Sequence, residues 1–346
     1  MDNNMNTLIE NKKVINEIAD KIYNMPCWAA LVLFLAVITI TIWGISFFYN
    51  VNTVTKNREG FTQEANFILK QNDEVFEDPF YVGIYDDLFY KKIYNTYEVG
   101  VIINEIHPTS NDVIIEIGSK TGNYVSAMKS NGYNIVGLDK SKAMVEYASK
   151  KYPDCKFIHG DPLEFMNFSS EHATAILLLD FSIYYISDRR TLFYNCYHWL
   201  KPGGYLVLHL VNRHMFDPVA PAAKPFTIVS PQSVAPARIT TSDVVFNNFN
   251  YKSKFEIEES GETTGTNDTA KIIETMKDKR GKVRKNVRSM KMTGQKIIIG
   301  EAKDAGFMML GQYDLIKSQR EYQYLYILYK PSNKLDVVEL YNATMT

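Results

Sequence analysis

The chain has 346 residues, 46% of them hydrophobic, and a formal net charge of −1. That length allows one α/β domain of ordinary size plus additions. The near-zero charge excludes a global field that would draw the molecule to nucleic acid or acidic membranes. Cys27, Cys155 and Cys196 are odd in number and scattered without a metal-ligand spacing, which predicts free thiols in a reducing compartment and no metal site.

Residues 1–26 form a polar tail with Ile9, Val14, Ile15 and Ile18 at helical spacing. Residues 27–49 carry no charge, a run long enough to cross a bilayer as a helix. Trp28, Trp43, Phe47, Phe48 and Tyr49 cluster near its two ends, as interfacial aromatics do. A signal peptide fits less well, because the apolar run is too long and lacks a small-residue cleavage site. Lys12, Lys13 and Lys21 precede the run and Lys56, Arg58 and Lys70 follow it, so the positive-inside rule leaves its orientation open. Residues 50–77 read as a juxtamembrane stem with a short helix around Glu64 to Leu69. From Asp78 to Ile106 the sequence is aromatic and helical.

The segment 78–212 alternates short apolar strands with helices of about ten residues, which predicts a parallel sheet. Val113 to Ile117 reads as a buried strand. Gly118 and Gly122 then permit a tight turn into a helix starting near Thr121. Asn134 to Leu138 reads as a second strand, and it ends in Asp139. A carboxylate at that tip is placed to hold the two hydroxyls of a ribose, so an adenosine-containing cofactor is expected. The turn spacing is Glu-x-Gly-x-x-x-Gly and not the G-x-G-x-x-G of a dinucleotide site. Glu116 at the strand end would repel a pyrophosphate and suits a cationic amino group.

With these residues the chain resembles the class I S-adenosylmethionine-dependent methyltransferases. Further matches follow in order over residues 80 to 331. His-Gly-Asp at 159–161 looks like the acidic turn after the third strand. Ala175 to Asp180 looks like the fourth strand, and Trp199 to His209 the lead into the fifth. Glu301 to Phe307 looks like the last helix before closing strands at Met308 to Leu315 and Tyr322 to Tyr329. The resemblance implies a Rossmann-like seven-stranded, mostly parallel sheet with helices on both faces and one antiparallel strand. It implies S-adenosylmethionine as cofactor. Glu116 and Gly118 would lie at its methionine end, Asp139 at the ribose, Asp161 and Pro162 near the adenine, and Asp180 and Phe181 beside the methionine or the acceptor, with Ser119, Gly122, Lys140 and Met144 as further cofactor-binding residues. Lys120 stands where many members carry glycine. It can point outward, crowd the methionine carboxylate or pair with it. Cofactor supply favours a C-terminal part facing the cytosol, or a virion interior filled from it.

Between residues 213 and 293 the alternation breaks. Pro218, Pro221, Pro225, Pro231 and Pro236 mark an extended loop. Val244 to Glu258, Lys271 to Lys277 and Lys282 to Met292 alternate with period two, which predicts a small antiparallel sheet. An insertion there resembles the substrate cover of small-molecule N-methyltransferases. The basic run from Lys277 to Lys291 reads as a solvated hairpin; without interleaved aromatics it is a poor RNA surface.

The expected organisation is a tail (1–26), a transmembrane helix (27–49), a stem (50–77), a cofactor-binding core (78–212), a substrate-cover insertion (213–293), a closing segment (294–331) and a C-terminal tail (332–346). The acceptor is expected to be a small or lipid-like molecule methylated on N or O. His214, Arg213 and Tyr184 are the catalytic candidates. Tyr81, Tyr85, Tyr185, His209 and Asn212 are the substrate candidates, with His209 equally readable as a core histidine. A catalytically degenerate binding protein and a protein or RNA methyltransferase are the alternatives. The sequence leaves the oligomeric state open.

Overall fold

The computed structural model describes residues 25–53, 64–224, 231–233, 235–258 and 268–332, in two units, residues 1–59 and 60–346. The helical pattern of the N-terminal tail, most of the stem, Pro225, the turn containing Gly261 and Gly265, and nearly all of the C-terminal tail fall outside the described residues.

Among the described residues the first unit contains one helix, α1 (Cys27–Thr53). Its side chains are described from Trp28 to Ile42, and Trp28, Phe34 and Ile40 are 71%, 62% and 68% exposed. Thr39 and Thr41 hide their hydroxyls by donating to the carbonyls of Leu35 and Val37, each at 2.8 Å. Among the described residues no helix is long and apolar enough to cross a membrane, the described side chains of α1 ending at Ile42.

The second unit opens with β1 (Phe67–Gln71), α2 (Asp73–Phe76), α3 (Pro79–Phe89) and α4 (Lys92–Ile106). The expected helix around Glu64 to Leu69 is therefore corrected to a strand. Residues 67–71 pair in parallel with a strand of the insertion, and that pairing overrides a weak local preference. The core follows as β2 (Val113–Ile117), α5 (Asn123–Ser130), β3 (Asn134–Asp139), α6 (Lys142–Lys151), β4 (Lys156–His159), β5 (Ala173–Leu178), α7 (Ser182–Tyr185), α8 (Arg189–Trp199) and β6 (Leu200–Val211). After the insertion come α9 (Gln295–Asp304), β11 (Met308–Asp314) and β12 (Gln323–Tyr329). The sheet order is β11-β12-β6-β5-β2-β3-β4, and β12 runs antiparallel to both neighbours. This is the expected seven-stranded sheet with one reversed member.

Strand alternation distributes the core over two faces. Ile115, Ile117, Leu138, Leu206 and Leu208 pack with Trp199 and Ile298 on one side. Ile114, Ile135, Leu177 and Val207 pack with Ile102 and Val125 on the other. Period two therefore puts Glu116 on the side of Ile114, beneath α4 and α5. Cys196 is buried in the first of these clusters as a free thiol.

The insertion holds β7 (Thr241–Val245), β8 (Phe249–Glu258), β9 (Thr269–Asp278) and β10 (Val283–Lys291). With β1 they form a second sheet, ordered β1-β10-β9-β8-β7. The stretch expected to be one strand, Val244 to Glu258, turns at Phe246, whose N–H donates to the Phe249 carbonyl at 2.9 Å. The sheet's inner residues Phe255, Ala270 and Met290 join the first core cluster, so the insertion is packed on the domain and not hung from it.

Candidate functional site

The cleft lies at the carboxyl ends of β2, β3, β5 and β6, where open α/β sheets bind ligands. The turn after β2 wraps the tip of β3. Gly118 N–H donates to the Leu138 carbonyl at 2.8 Å, and Lys120 N–H donates to Asp139 Oδ2 at 2.7 Å. Gly118 has φ +74°, and a Cβ there would meet Ser182 Oγ at 2.5 Å, so only glycine fits. Asp139 Oδ1 accepts from Ser141 N–H at 2.8 Å, which orders the entry to α6. Burial raises the Asp139 carboxyl above its usual value, against the lowering effect of those two N–H groups.

Three chambers meet in the cleft. The largest, about 260 Å³, is lined by Ile117, Gly118, Asp139, Lys140, Met144, Asp161 and Pro162 among others. Asp161 Oδ1 accepts from Leu163 N–H at 2.9 Å, and Lys140 lies 3.5 Å from Asp161 Oδ2. The N-terminal segment roofs this chamber. Glu77 accepts from the N–H groups of Lys142 and Ala143 at 2.9 and 3.2 Å, and Ser141 Oγ donates to the Phe76 carbonyl at 2.8 Å. Asp86 on α3 clips the glycine turn, accepting from Thr121 Oγ1 at 2.6 Å and Asn123 Nδ2 at 2.8 Å.

The second chamber, about 30 Å³, shares Gly118 and Lys120 with the first. It is lined by Glu116, Ser119, Tyr94 and Asn95, and each of these carries a buried polar atom without a hydrogen-bond partner: Glu116 Oε2, Ser119 Oγ, Tyr94 Oη and Asn95 Nδ2. Such atoms cost about 1–3 kcal/mol each when unsatisfied, so their convergence on one cavity marks a ligand site. An acid beside hydroxyl and amide donors suits the ammonium and carboxylate of an amino acid. The residues therefore fit the methionine end of S-adenosylmethionine. Lys120 lies here and is not turned outward. Its Nζ donates to the Asp180 carbonyl at 2.6 Å, and burial lowers its pKa.

The third chamber, about 90 Å³, shares Tyr85, Phe89, Tyr94, Asp180 and Arg320 with the second and Tyr185 with the first. Phe181, Phe216, Pro218, Lys224, Phe255 and Arg288 complete much of its wall. Asp180 and Phe181 both hold left-handed backbone, φ 47° and 65°, a strain that concentrates at working sites. Arg320 ties the wall together, reaching Asp180 at 2.6 Å and Glu98 at 2.9 Å. Burial works against the charge on Asp180, but Arg320, then Lys120 and His209, outweigh it and hold the carboxyl down to about 2. Burial pushes the Glu98 carboxyl up to about 7 against the pull of Arg320.

The cofactor candidates thus converge, with two qualifications. Gly122, whose φ is +79°, faces the Phe157 ring and serves the turn. Phe181 faces the third chamber. The catalytic candidates do not converge. Tyr184 is fully buried in the core, and its oxygen accepts from Val211 N–H at 2.9 Å. Arg213 pairs with buried Asp268 at the foot of β9. His214 is exposed outside the three chambers, and its Nε2 accepts from Arg213 Nε at 3.0 Å. Among the substrate candidates, Tyr85 and Tyr185 line the cleft. Tyr81 is buried behind it, donating to Glu274 at 3.0 Å. His209 is also buried behind it, with Nε2 on Gln323 at 3.0 Å and Nδ1 3.3 Å from Arg320 Nη1. Burial and then Arg320 hold the His209 imidazole down to about 3. Asn212 uses its Oδ1 to accept from His214 N–H at 3.1 Å and lines none of the chambers.

Arg320, Glu98, Arg288 and Glu274 were not singled out from the sequence as a site. The basic run containing Arg288 is split by the fold. Arg284 pairs with Asp78 and Arg288 with Glu274, both inward.

Comparison with known proteins agrees with this geometry. Residues 115–208 match a family model described as a methyltransferase domain. An uncharacterized methyltransferase of Oceanobacillus iheyensis is 33% identical over 101 residues, which is 28% of this chain and 44% of that protein. Trans-aconitate 2-methyltransferase of Escherichia coli O157:H7 is 27% identical over 101 residues, 29% of this chain and 39% of that enzyme. The chain thus spans less than half the length of these curated relatives. The solved structure of an S-adenosylmethionine-dependent methyltransferase from Clostridium acetobutylicum superposes with TM-score 0.53 at 14% identity, covering 72% of this chain and 96% of that one. The fold is that of the S-adenosylmethionine-dependent methyltransferases. The matched residues 115–208 include Glu116, Gly118, Asp139, Asp161 and Asp180, which line the cleft.

Proposed function

We propose that the chain transfers a methyl group from S-adenosylmethionine to a small or lipid-like acceptor, on nitrogen or oxygen. The observation that carries this is the convergence of four unpartnered buried polar groups, on Glu116, Ser119, Tyr94 and Asn95, next to a large chamber tipped by Asp139. When bound, the cofactor supplies an electrophilic methyl on a sulfonium, so the protein's task is to align and to exclude water. Asp139 would hold the ribose hydroxyls, Glu116 the amino group, and the residues around Asp161 the adenine. The aromatic third chamber would take the acceptor. Calorimetry on the full chain in detergent tests this; no binding of S-adenosylmethionine would remove the activity.

The second reading is a degenerate binder, favoured by one contact. Lys120 Nζ reaches the Asp180 carbonyl within the chamber assigned to methionine. Cofactor binding without turnover on any acceptor, together with restored turnover in Lys120→Gly, would support it.

A single-pass membrane anchor at α1, with the catalytic part facing the cytosol or a virion interior, belongs to the same proposal. The helix backbone runs 27 residues, roughly 40 Å at the rise of an α-helix, against about 30 Å of hydrocarbon. Its exposed apolar side chains and internally satisfied threonines suit lipid. Retention of the full chain in membranes through a carbonate wash is the expected outcome, and release would remove the anchor.

A further inference from the structure

The third chamber combines an apolar lining with a cationic floor. Tyr85, Phe89, Tyr94, Phe181, Phe216 and Phe255 supply rings. Lys224, Arg288 and Arg320 supply three positive charges, against the carboxylates of Asp180 and Asp217 in the same wall.

Arg288 is held rigidly. Its Nε and Nη2 lie 3.2 Å from the oxygens of Glu274, and Nη1 donates to Tyr185 Oη at 2.8 Å. Glu274 is fully buried and also accepts from Tyr81 and Tyr251 at 3.0 and 2.8 Å, so Arg288 is placed before any ligand arrives. Lys224, from the proline-rich loop, lies 2.9 Å from Asp217. It and Lys91, whose ammonium has no ion-pair partner among the described residues, stand on one ring, 6.0 and 5.7 Å from the Tyr94 centroid.

The carboxylates, phenols and imidazole where the chambers join offer no free proton acceptor; the amines there are Lys120, whose pKa burial lowers, and Lys91, held down to about 8 by burial and then Lys224. His209 has both nitrogens engaged behind Arg320 and Gln323. Asp180 is committed to Arg320, and the Tyr85 and Tyr185 phenols are pushed up by burial, so they remain protonated. An ammonium acceptor would have to pass its proton to one of these amines, while the wall's cations are each already balanced, Arg288 by Glu274, Lys224 by Asp217 and Arg320 by Asp180. An alcohol would need a base. A carboxylate needs neither.

We infer that the acceptor is an amphipathic carboxylic acid, held as its anion by Arg288 and Lys224 with its apolar body among the rings, and that the product is its methyl ester. This rests on the methyl-transfer activity proposed above. A carboxylate oxygen forms the new O–C bond to the sulfonium methyl. The C–S bond breaks, and its electron pair stays on sulfur as a neutral thioether. One negative and one positive charge vanish, and no proton is released.

The experiment uses the full chain in detergent micelles with tritium-labelled S-adenosylmethionine. The probes are phenylacetate, cinnamate and decanoate, with phenylacetamide and phenethylamine as the neutral and cationic counterparts. The acids should take up label that mild alkali releases as volatile methanol, and the amide and amine should stay unlabelled. Lys224→Gln keeps a hydrogen-bond donor for Asp217 and should raise KM for the acid about tenfold, the loss of one charge-assisted contact, with unchanged affinity for the cofactor. Alkali-stable label, labelling of the amine, or cofactor binding without labelling of any acid overturns the inference. Failure to bind the cofactor overturns instead the activity beneath it.

Discussion

The two halves of the cleft are built by different means. The half proposed for adenosine takes most of its polar groups from consecutive strand tips and turns, Gly118, Asp139 and Asp161, held by backbone groups either two residues on, Ser141 and Leu163 N–H, or on the adjoining tip, Leu138 carbonyl and Lys120 N–H. The acceptor half takes its charges from segments far apart in the chain. Glu98 meets Arg320, Tyr81 meets Glu274, and Lys224 faces the ring of Tyr94. Local hydrogen bonding makes the first half tolerant of loss at one point. The second half depends on mutual neutralisation of buried charges, and there one loss exposes the rest.

The sharpest way to break that contrast is Arg320→Met. It leaves Glu98, fully buried, and Asp180 without their shared cation. Breaking a buried ion pair on one side costs about 3–5 kcal/mol, so the urea midpoint should fall by a large fraction of the total stability. A midpoint within error of the unsubstituted chain would show that the network is not a structural unit.

Asp139→Ala tests the other half and should be milder for folding. It should weaken S-adenosylmethionine binding by about 1–3 kcal/mol, because the ribose hydroxyls lose a charged acceptor and the Lys120 and Ser141 N–H groups lose theirs. Calorimetry measures the affinity, and a stability loss matching that of Arg320→Met would erase the distinction between the halves.

The same contrast explains what was legible in the sequence. Val113–Ile117 and Asn134–Asp139 are continuous apolar runs ended by glycine or acid, so strand, turn and carboxylate could all be placed by local rules. Arg320 carries no local signal. It lies between closing strands whose limits were readable, and β11 runs with the parallel strands, so its following loop must overhang the cleft. That topological consequence was available, but the residue's pairing with Glu98, 222 positions away by subtraction, was not. His214 and Arg213 illustrate the opposite error. Position after β6 suggested chemistry, yet Asp268 draws Arg213 towards the insertion. The strand at 67–71 was missed because its partner lies in the insertion.

The pH dependence of folding sharpens the comparison by a smaller effect. The Glu98 pKa is raised in the folded chain to about 7, from an ordinary value near 4.5. A raised acid favours the folded state when protonated. Its stabilising contribution is therefore complete below about 4.5 and declines as pH rises through 7, by no more than about 1.4 kcal/mol per pH unit. Asp180, held down to about 2, acts with the opposite sign and only at lower pH, its contribution fading as pH falls below its ordinary 3.8. Glu98→Gln should flatten the decline between pH 4.5 and 7 and leave the acid limb below pH 4 in place. Parallel stability profiles for the two chains between pH 4.5 and 7 would assign the slope elsewhere.

The smallest expected effect is at His214, and it discriminates between sequence position and three-dimensional placement. The residue follows β6 directly, where an acceptor base would be sought. Its side chain is exposed and borders none of the three chambers, and its ring nitrogen already accepts from Arg213. An exposed side chain adds little to stability, and its ring hydrogen bond to Arg213 is worth about 1 kcal/mol, so His214→Ala should lower stability by no more than about that much. Removal of a general base typically lowers turnover by about 10²–10⁴, whereas a bystander changes it little. The carboxylate acceptor inferred here needs no base, so kcat and KM in His214→Ala should both stay within about twofold, well inside one factor of ten or 1.4 kcal/mol. Tyr184→Phe gives a companion reading, because it removes the oxygen that accepts from Val211 N–H and should cost about 1 kcal/mol of stability without touching turnover. A hundredfold fall in kcat at His214 with an intact midpoint would move the reacting centre out of the three chambers and towards the end of β6.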